Sequence, residues 1–322
     1  MGMASFLIRR ILTGILVLWV VATGTFFLFF TAVPEQAVAR NLAGRAATPQ
    51  VIAEVTRYYG LDKPITAQYW HFLTGLLQGN LGKSYFLQEP VTTVIKQDLP
   101  PTISVVIGGV VLWLIAGISV GILSATRARS FFDRFATVGV LAGISAPTFV
   151  VGELLIIFVF VQLNDHGVSF IQTGYSGITS DPVAWLGHMI LPWITLAIVQ
   201  AAVYTRLSRG SLLDTMGEDY IRTARSKGIS ERRVLYRHAV RSALTPVVSQ
   251  LGIDIGALLG GVLVVEVVFG LQGLGQETIT SINQGDQPVV IGFVILASVF
   301  VVVANLLVDI SYAALDPRVR IT

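Results

Sequence analysis

The chain is 322 residues long, 53% hydrophobic and only 13% charged, with a mean hydropathy of +0.73, against roughly 45–50% apolar and about 25% charged in soluble domains, so water is not its main solvent. The formal charge of +3 sits beside apolar stretches, as membrane flanks do, which argues against nucleic acid as a partner. The absence of cysteine excludes disulfides, thiol catalysis and Cys-ligated metal centres.

Apolar stretches of about 20 residues are long enough to cross a roughly 30 Å hydrocarbon core. They predict an all-α integral membrane protein with about six transmembrane helices. In chain order these are Ile11 to Val33, Thr102 to Ala125, Phe135 to Leu163, Gly187 to Leu207, Leu244 to Phe269 and Val289 to Leu315. The first follows the pair Arg9-Arg10, as a signal peptide would, but its run of about 23 residues exceeds the 7–15 of a signal core, so it reads as a retained span. A long external segment, 34–101, follows. It is Ala-rich and polar to about Gln50, then helical through Tyr58, Trp70 and Leu77. Its aromatics Tyr58, Tyr59, Tyr69, Trp70 and Phe72 fit either a substrate-facing surface, a lid packed on the helices or an interfacial belt, with the structural readings favoured.

Span two carries Gly117 and Gly121 and span five carries Gly252, Gly256 and Gly260, a four-residue spacing that lets helix backbones approach closely. Intrachain packing is the commoner use of such a stripe. Span three contains Pro147. Span four is the weakest, being interrupted by Pro192 and carrying Gln200.

Lys and Arg near short loops remain cytoplasmic. One side collects Arg9, Arg10, Arg127, Arg129, Arg134, nine basic residues from Arg206 to Arg241, and Arg318 and Arg320. The loops Asn164 to Leu186 and Gly270 to Pro288 have none. Both termini, including the tail 316–322, are therefore expected in the cytoplasm.

The cytoplasmic loop 208–243 holds the most informative stretch. Glu218, Asp219, Tyr220, Ile221, Arg222, Thr223, Ala224, Arg225, Ser226, Lys227 and Gly228 read as a short helix ending at a glycine, followed by a second helix from Ser230 towards Arg241. Acidic residues at its start and basic residues at its end complement the helix dipole, Gly228 suits the residue beyond the C-cap, and Ser230 suits an N-cap. Tyr220, Ile221 and Ala224 share one face between flanking Arg222 and Arg225. That face fits a groove in a partner or a lipid surface, and the residues alone do not choose between them.

Here the chain resembles a known family. Tyr220 to Gly228, with Ser230 to Val234 and Arg237-His238-Ala239, is similar to the cytoplasmic signature loop of ABC-importer permeases in the dipeptide, oligopeptide and nickel branch. The general pattern of that loop begins Glu-Ala-Ala; Arg222-Thr223-Ala224 stand here, as is common in the peptide branch. Tyr59 to Pro64, Gln68-Tyr69, Gly79 to Ser84, Ser145 to Val150, Glu266 to Phe269, Gly273 to Gly275 and Asp316 to Arg320 also resemble that branch. Gln272 departs from it, because proline is usual there, which questions the local turn.

The resemblance implies a type I permease fold in the bacterial cytoplasmic (inner) membrane. It also implies a coupling helix docked on an ATPase, a second permease subunit, two ATPases and an extracytoplasmic binding protein. ATP and Mg would be bound by the ATPases and no cofactor by this chain. Relatives in the branch carry dipeptides, longer peptides, nickel complexes, glutathione or haem.

Ionisable residues inside spans are functional candidates, since a charge in hydrocarbon costs at least about 2.5–3.5 kcal/mol on insertion scales. Glu153, Asp254, Glu266 and Asp309 qualify. Asp254 fits a wet cavity or a pair with a partner chain, with a structural role and substrate contact equally open, whereas Glu266 better fits a structural hydrogen-bonding role than substrate contact. Gly82-Lys83-Ser84 imitates a phosphate loop, but Leu77 stands where the required glycine belongs. His71, His166, His188 and His238 form no metal motif. A self-sufficient ion-coupled transporter using Asp254 and Glu266 is the rival reading, and an intramembrane enzyme lacks a nucleophile–base or metal constellation.

Overall fold

The computed structural model describes residues 3–32, 39–40, 48–58 and 62–315. Most of the Ala-rich start of the external segment, Tyr59-Gly60-Leu61 and the tail 316–322 lie outside the described residues, as do the side chains of Tyr58, Gly256 and Asp309. Among the described residues the regular structure is helical apart from one isolated bridge, Lys83 with Pro90.

Among the described residues five helices are long and apolar enough to cross a membrane: Ile8–Phe30, Val91–Thr126, Thr148–Asp165, Pro182–Met216 and Gln287–Leu307. Glu231–Ile255 and Gly260–Phe269, bent by 65° at a short break, bring the number to six if the pair is counted as one span. The chain is thus an all-α, multi-pass membrane protein. We name its helices α1 (Met3–Ala32), α2 (Pro49–Tyr58), α3 (Ile65–Leu77), α4 (Val91–Thr126), α5 (Phe131–Ser145), α6 (Thr148–Asp165), α7 (Pro182–Met216), α8 (Asp219–Ser226), α9 (231–243), α10 (Thr245–Phe269), α11 (Leu274–Gln284) and α12 (Gln287–Leu315). A π turn, Ile156–Val161, lies within α6 and another, Val234–Ala239, within α9.

Two expectations need correction. The third span is not continuous from Phe135 to Leu163. Pro147 cannot donate a backbone hydrogen bond and drives its predecessor out of the helical region; Ala146 is extended at φ −84°, ψ 122°, so α5 ends at Ser145 and the crossing helix begins at Thr148. Pro192, by contrast, does not interrupt the fourth span, which runs unbroken from Pro182 to Met216. Pro192 is buried in protein, where a proline is tolerated at membrane depth. That helix starts cleanly: Asp181 accepts from the N–H groups of Val183 and Ala184, and Pro182 fills the first helical position. The external segment is helical at Tyr58, Trp70 and Leu77, as expected, in two helices, α2 and α3.

The chain divides into two compact units, residues 1–99 with 276–303, and residues 100–275 with 304–322. In the first, Tyr69 and Phe72 of α3 pack on Phe26 of α1, with ring centroids 5.2 and 5.5 Å apart. The Tyr69 and Thr23 hydroxyls lie 2.8 Å apart. Those two aromatics therefore serve as packing, while Trp70 is 65% exposed. Ser84 of the false phosphate loop is buried and donates to Asp286, whose carboxylate also accepts from the Tyr85 and Phe86 N–H groups.

In the second unit α4 and α7 meet along the predicted small-residue stripe. A Cβ on Gly117 would lie 2.6 Å from Tyr204 Cβ, and one on Gly121 2.7 Å from Ser208 Cβ and 2.8 Å from the Thr205 carbonyl oxygen. Only glycine permits that approach. On α10 Gly252 is buried, whereas a Cβ on Gly260 would meet nothing within 4 Å.

Asp133 ties α5 to the cytoplasmic part of α7. Its carboxylate accepts from Arg209 Nε at 2.7 Å and Nη2 at 2.9 Å, from the Ser124 hydroxyl and from the Arg129 N–H. Donation from Arg209, then from Ser124 and the Arg129 N–H, outweighs burial and holds this carboxyl well below its ordinary range. A group depressed in the folded state stabilises above its unfolded pKa of about 3.9, and that contribution disappears as pH falls through the lower folded value. Breaking a buried pair costs about 3–5 kcal/mol, and the Arg209 side chain is 32% exposed, so Asp133→Asn is expected to cost about 2 kcal/mol near neutrality. Thermal unfolding of both proteins in detergent checks this: the gap should stay constant from pH 7 to about 4 and shrink only below that.

Candidate functional site

The cytoplasmic loop folds as a hairpin of α8 and α9 at the end of α7. Gly228 takes φ +75°. The Gly228 N–H donates to the Arg225 carbonyl at 2.9 Å and the Ile229 N–H to the Ala224 carbonyl at 3.3 Å. These are the paired bonds of a Schellman motif, with Ile229 and Ala224 supplying its apolar contact. Arg225 then bridges the turn with two hydrogen bonds to Glu231, at 2.9 and 3.3 Å. Ser230 occupies the predicted N-cap position with extended backbone, but its side chain makes no capping bond; its carbonyl accepts from Arg233 and Val234 instead.

The apolar face of α8 is partly used within the chain. Ile221 is fully buried and Ala224 nearly so, in a cluster with Leu212 of α7, Val234, Ala239 and Ala243 of α9, and Ala125 of α4. Tyr220 stays 44% exposed. Glu218, Asp219, Arg222, Arg225, Lys227 and Gly228 are exposed as well. Asp219 and Arg222 form a solvent-facing pair at 3.5 Å, an arrangement worth about 0–1 kcal/mol. The predicted shared face of Tyr220, Ile221 and Ala224 is thus divided. Two of its members anchor the helix to the span ends, and Tyr220 with the charges forms the outward surface.

The span residues also separate. Glu266 is fully buried near the end of α10. It accepts from the Thr102 hydroxyl and, at 2.7 Å, from the Gly275 N–H, and Thr102 in turn accepts from the Leu274 N–H at 2.9 Å. Glu266 thereby fastens the turn from Gly270 (φ +63°) to Gly275 onto the start of the apolar part of α4. A Cβ on Gly273 would lie 2.4 Å from this carboxylate, which explains glycine there. With Gln272 in place of proline the turn still closes, the Gly273 N–H reaching the Leu271 carbonyl at 2.9 Å.

Asp254 lies one residue before the end of the first arm of the bent span and is half-buried. It accepts from the Tyr204 hydroxyl and from Gln250 Nε2, each at 2.8 Å. Glu153 and Pro147 are exposed. Glu231, Leu212 and Val234 are not singled out by the sequence, although a Glu three residues after Gly228 and an Arg three before it form a legible pair across a turn. No group of three or more metal-binding side chains occurs among the described residues.

Comparison with known proteins agrees with this architecture. Residues 117–321 match the model of the binding-protein-dependent transport system inner membrane component, and residues 3–106 match that of its N-terminal part. The chain is 35% identical over 318 residues to a probable peptide ABC transporter permease protein, y4tP, of Sinorhizobium fredii, covering 99% of this chain and all of that one. It is 39% identical to the glutathione transport system permease protein GsiC of Pectobacterium atrosepticum and 37% identical to GsiC of Escherichia coli K12, each over 99% of both chains. With a family model covering more than half its length and relatives above 30% identity along nearly all of it, the chain belongs to the binding-protein-dependent transport system inner membrane components, as an ABC-importer permease of the peptide, oligopeptide and glutathione family.

Proposed function

We propose that this chain lines the translocation pathway of an ATP-driven importer of small peptides and glutathione-like peptides, and that the hairpin of α8 and α9 couples it to an ATPase. The anchoring of α8 carries this reading. Ile221 and Ala224 are packed against α7 and α9, and the Arg225–Glu231 bridge and the Gly228 turn fix α8 to α9. A push on the exposed surface of α8 is therefore delivered as a rigid-body shift to two span ends, the requirement of a domain-closure cycle.

In the working complex a second permease completes the pathway and two ATPases bind ATP and Mg and hydrolyse the nucleotide. A binding protein delivers peptide on the outer side, where residues 34–101 lie. This chain hydrolyses nothing itself. Its span-bearing region is 102–315, preceded by the first helix within 1–33 and followed by a cytoplasmic tail, 316–322. The peptide class follows from the relatives named for peptide and glutathione transport.

Reconstitution into liposomes tests the reading. Uptake of a radiolabelled dipeptide and of glutathione is expected only with both ATPases, binding protein and ATP present. Uptake by the lone chain driven by an ion gradient would establish the secondary-transporter alternative instead. Sidedness is tested separately, since the chain contains no cysteine. Ser226→Cys should react with an impermeant maleimide only from the cytoplasmic side and Trp70→Cys only from outside; labelling of position 226 from outside would invert the topology.

A further inference from the structure

Asp254 is a carboxylate inside a membrane span, and its hydrogen-bond donors among the described residues are neutral: the Tyr204 hydroxyl and Gln250 Nε2. No salt bridge reaches it among the described residues. Carboxyl groups inside spans that serve structure are normally paired with a cation or fully enclosed by donors, as Glu266 is in its turn. Asp254 is neither, because it keeps partial exposure. Tyr204 is fully buried, wedged against Gly117 and Trp113, so its hydroxyl holds one carboxylate oxygen in a fixed place. Gln250, one helical turn earlier, holds the other oxygen. The span bends by 65° immediately beyond.

The geometry points to Asp254, oriented by Tyr204 and Gln250, as a subsite for the α-ammonium group of the transported peptide. Two neutral donors occupy only part of the acceptor capacity of this carboxyl group, which leaves spare lone pairs for a cationic group. An α-ammonium is the one cation that every unmodified peptide carries, and glutathione carries it too. This inference rests on the peptide reading above and adds the group by which the membrane subunit grips its cargo.

The test measures ATP-driven uptake by the complete reconstituted complex, with binding protein, of trialanine and of N-acetyl-trialanine, expressed as the ratio of the two. A hydrogen bond to a charged group is worth about 1.5–3 kcal/mol, so losing it changes affinity roughly tenfold or more. Asp254→Asn is expected to lower the free-amine to N-acetyl ratio about tenfold, and Tyr204→Phe, which leaves the carboxylate but frees it to turn, by about threefold. Ile253→Ala, beside the node but outside it, should keep the wild-type ratio.

Equal loss of both peptides in Asp254→Asn would make Asp254 a packing residue and overturn the proposal. An unchanged ratio would do the same. Dissociation of the second permease from the Asp254→Asn complex would show that the carboxylate pairs with that subunit's cation instead of with cargo. Failure of the wild-type complex to take up either trialanine or glutathione would refute the parent peptide reading, a result distinct from wild-type uptake with an unaltered variant ratio.

Discussion

Replacing Gly228 by valine is expected to cut ATP-driven uptake at least tenfold while the same position accepts asparagine. At φ +75° an L residue is strained by about 1–2 kcal/mol, and a β-branched side chain by more. Asparagine visits this region readily. Nothing lies within 4 Å of a Cβ placed there, so the penalty is conformational and not a clash. Valine would open the paired bonds from Gly228 to Arg225 and from Ile229 to Ala224, pull Arg225 from Glu231, and let α8 move independently of α9. ATP hydrolysis by the assembled complex should continue while uptake per ATP falls at least tenfold. Uptake and hydrolysis assayed together on one reconstituted sample check this, and fully coupled transport by Gly228→Val would remove the mechanical role assigned to the turn.

The second large effect is expected at Glu266. Alanine there strips a fully buried carboxylate from the Thr102 hydroxyl and the Gly275 N–H, leaving donors unpaired beside a cavity. Buried donors left unsatisfied cost about 1–3 kcal/mol and the cavity adds to that, so a loss of about 3–5 kcal/mol is expected. Glutamine retains one acceptor oxygen but turns an amide N–H₂ towards donors, so a smaller loss of about 1–3 kcal/mol is expected. The yield of monodisperse protein and its melting midpoint in detergent should rank wild type, Glu266→Gln, Glu266→Ala. An alanine variant as stable as wild type would mean that the turn is held by other contacts.

The spans were legible because each is a long apolar run, and their number follows from bilayer thickness. Their breaks were not. The sequence contains Pro147 and Pro192 on equal terms, but only tertiary surroundings decide that the first separates α5 from α6 and the second lies inside a continuous α7. The glycine stripes differ in the same way: Gly117 and Gly121 sit against α7, whereas Gly260, with the same spacing in its own helix, faces open space. Four-residue spacing is necessary for close approach but does not name a neighbour.

Within the loop, local rules were sufficient where the structure is local. Gly228 ends α8 as the capping rules require, and Ser230 lies at the predicted boundary. Long-range partners were invisible. Ile221 and Ala224 read as an outward face because Leu212, Val234 and Ala243, which cover them, belong to other turns of the chain. Asp133 drew no attention for the same reason, its partner Arg209 being 76 residues away. Tyr204 likewise finds Asp254 only through the packing of α7 on α10.

The most direct measurement of force transfer through α8 is a crosslink. Tyr220→Cys, placed on the exposed surface of α8 in a chain that has no other cysteine, would be combined with single cysteines across the surface of the proposed ATPase partner and oxidised in the assembled complex. Disulfide formation at one ATPase position, with loss of ATP-driven uptake that returns on reduction, is the expected result. Exclusive labelling of the introduced thiol by a lipid-phase photoprobe, with no ATPase position crosslinking, would contradict it.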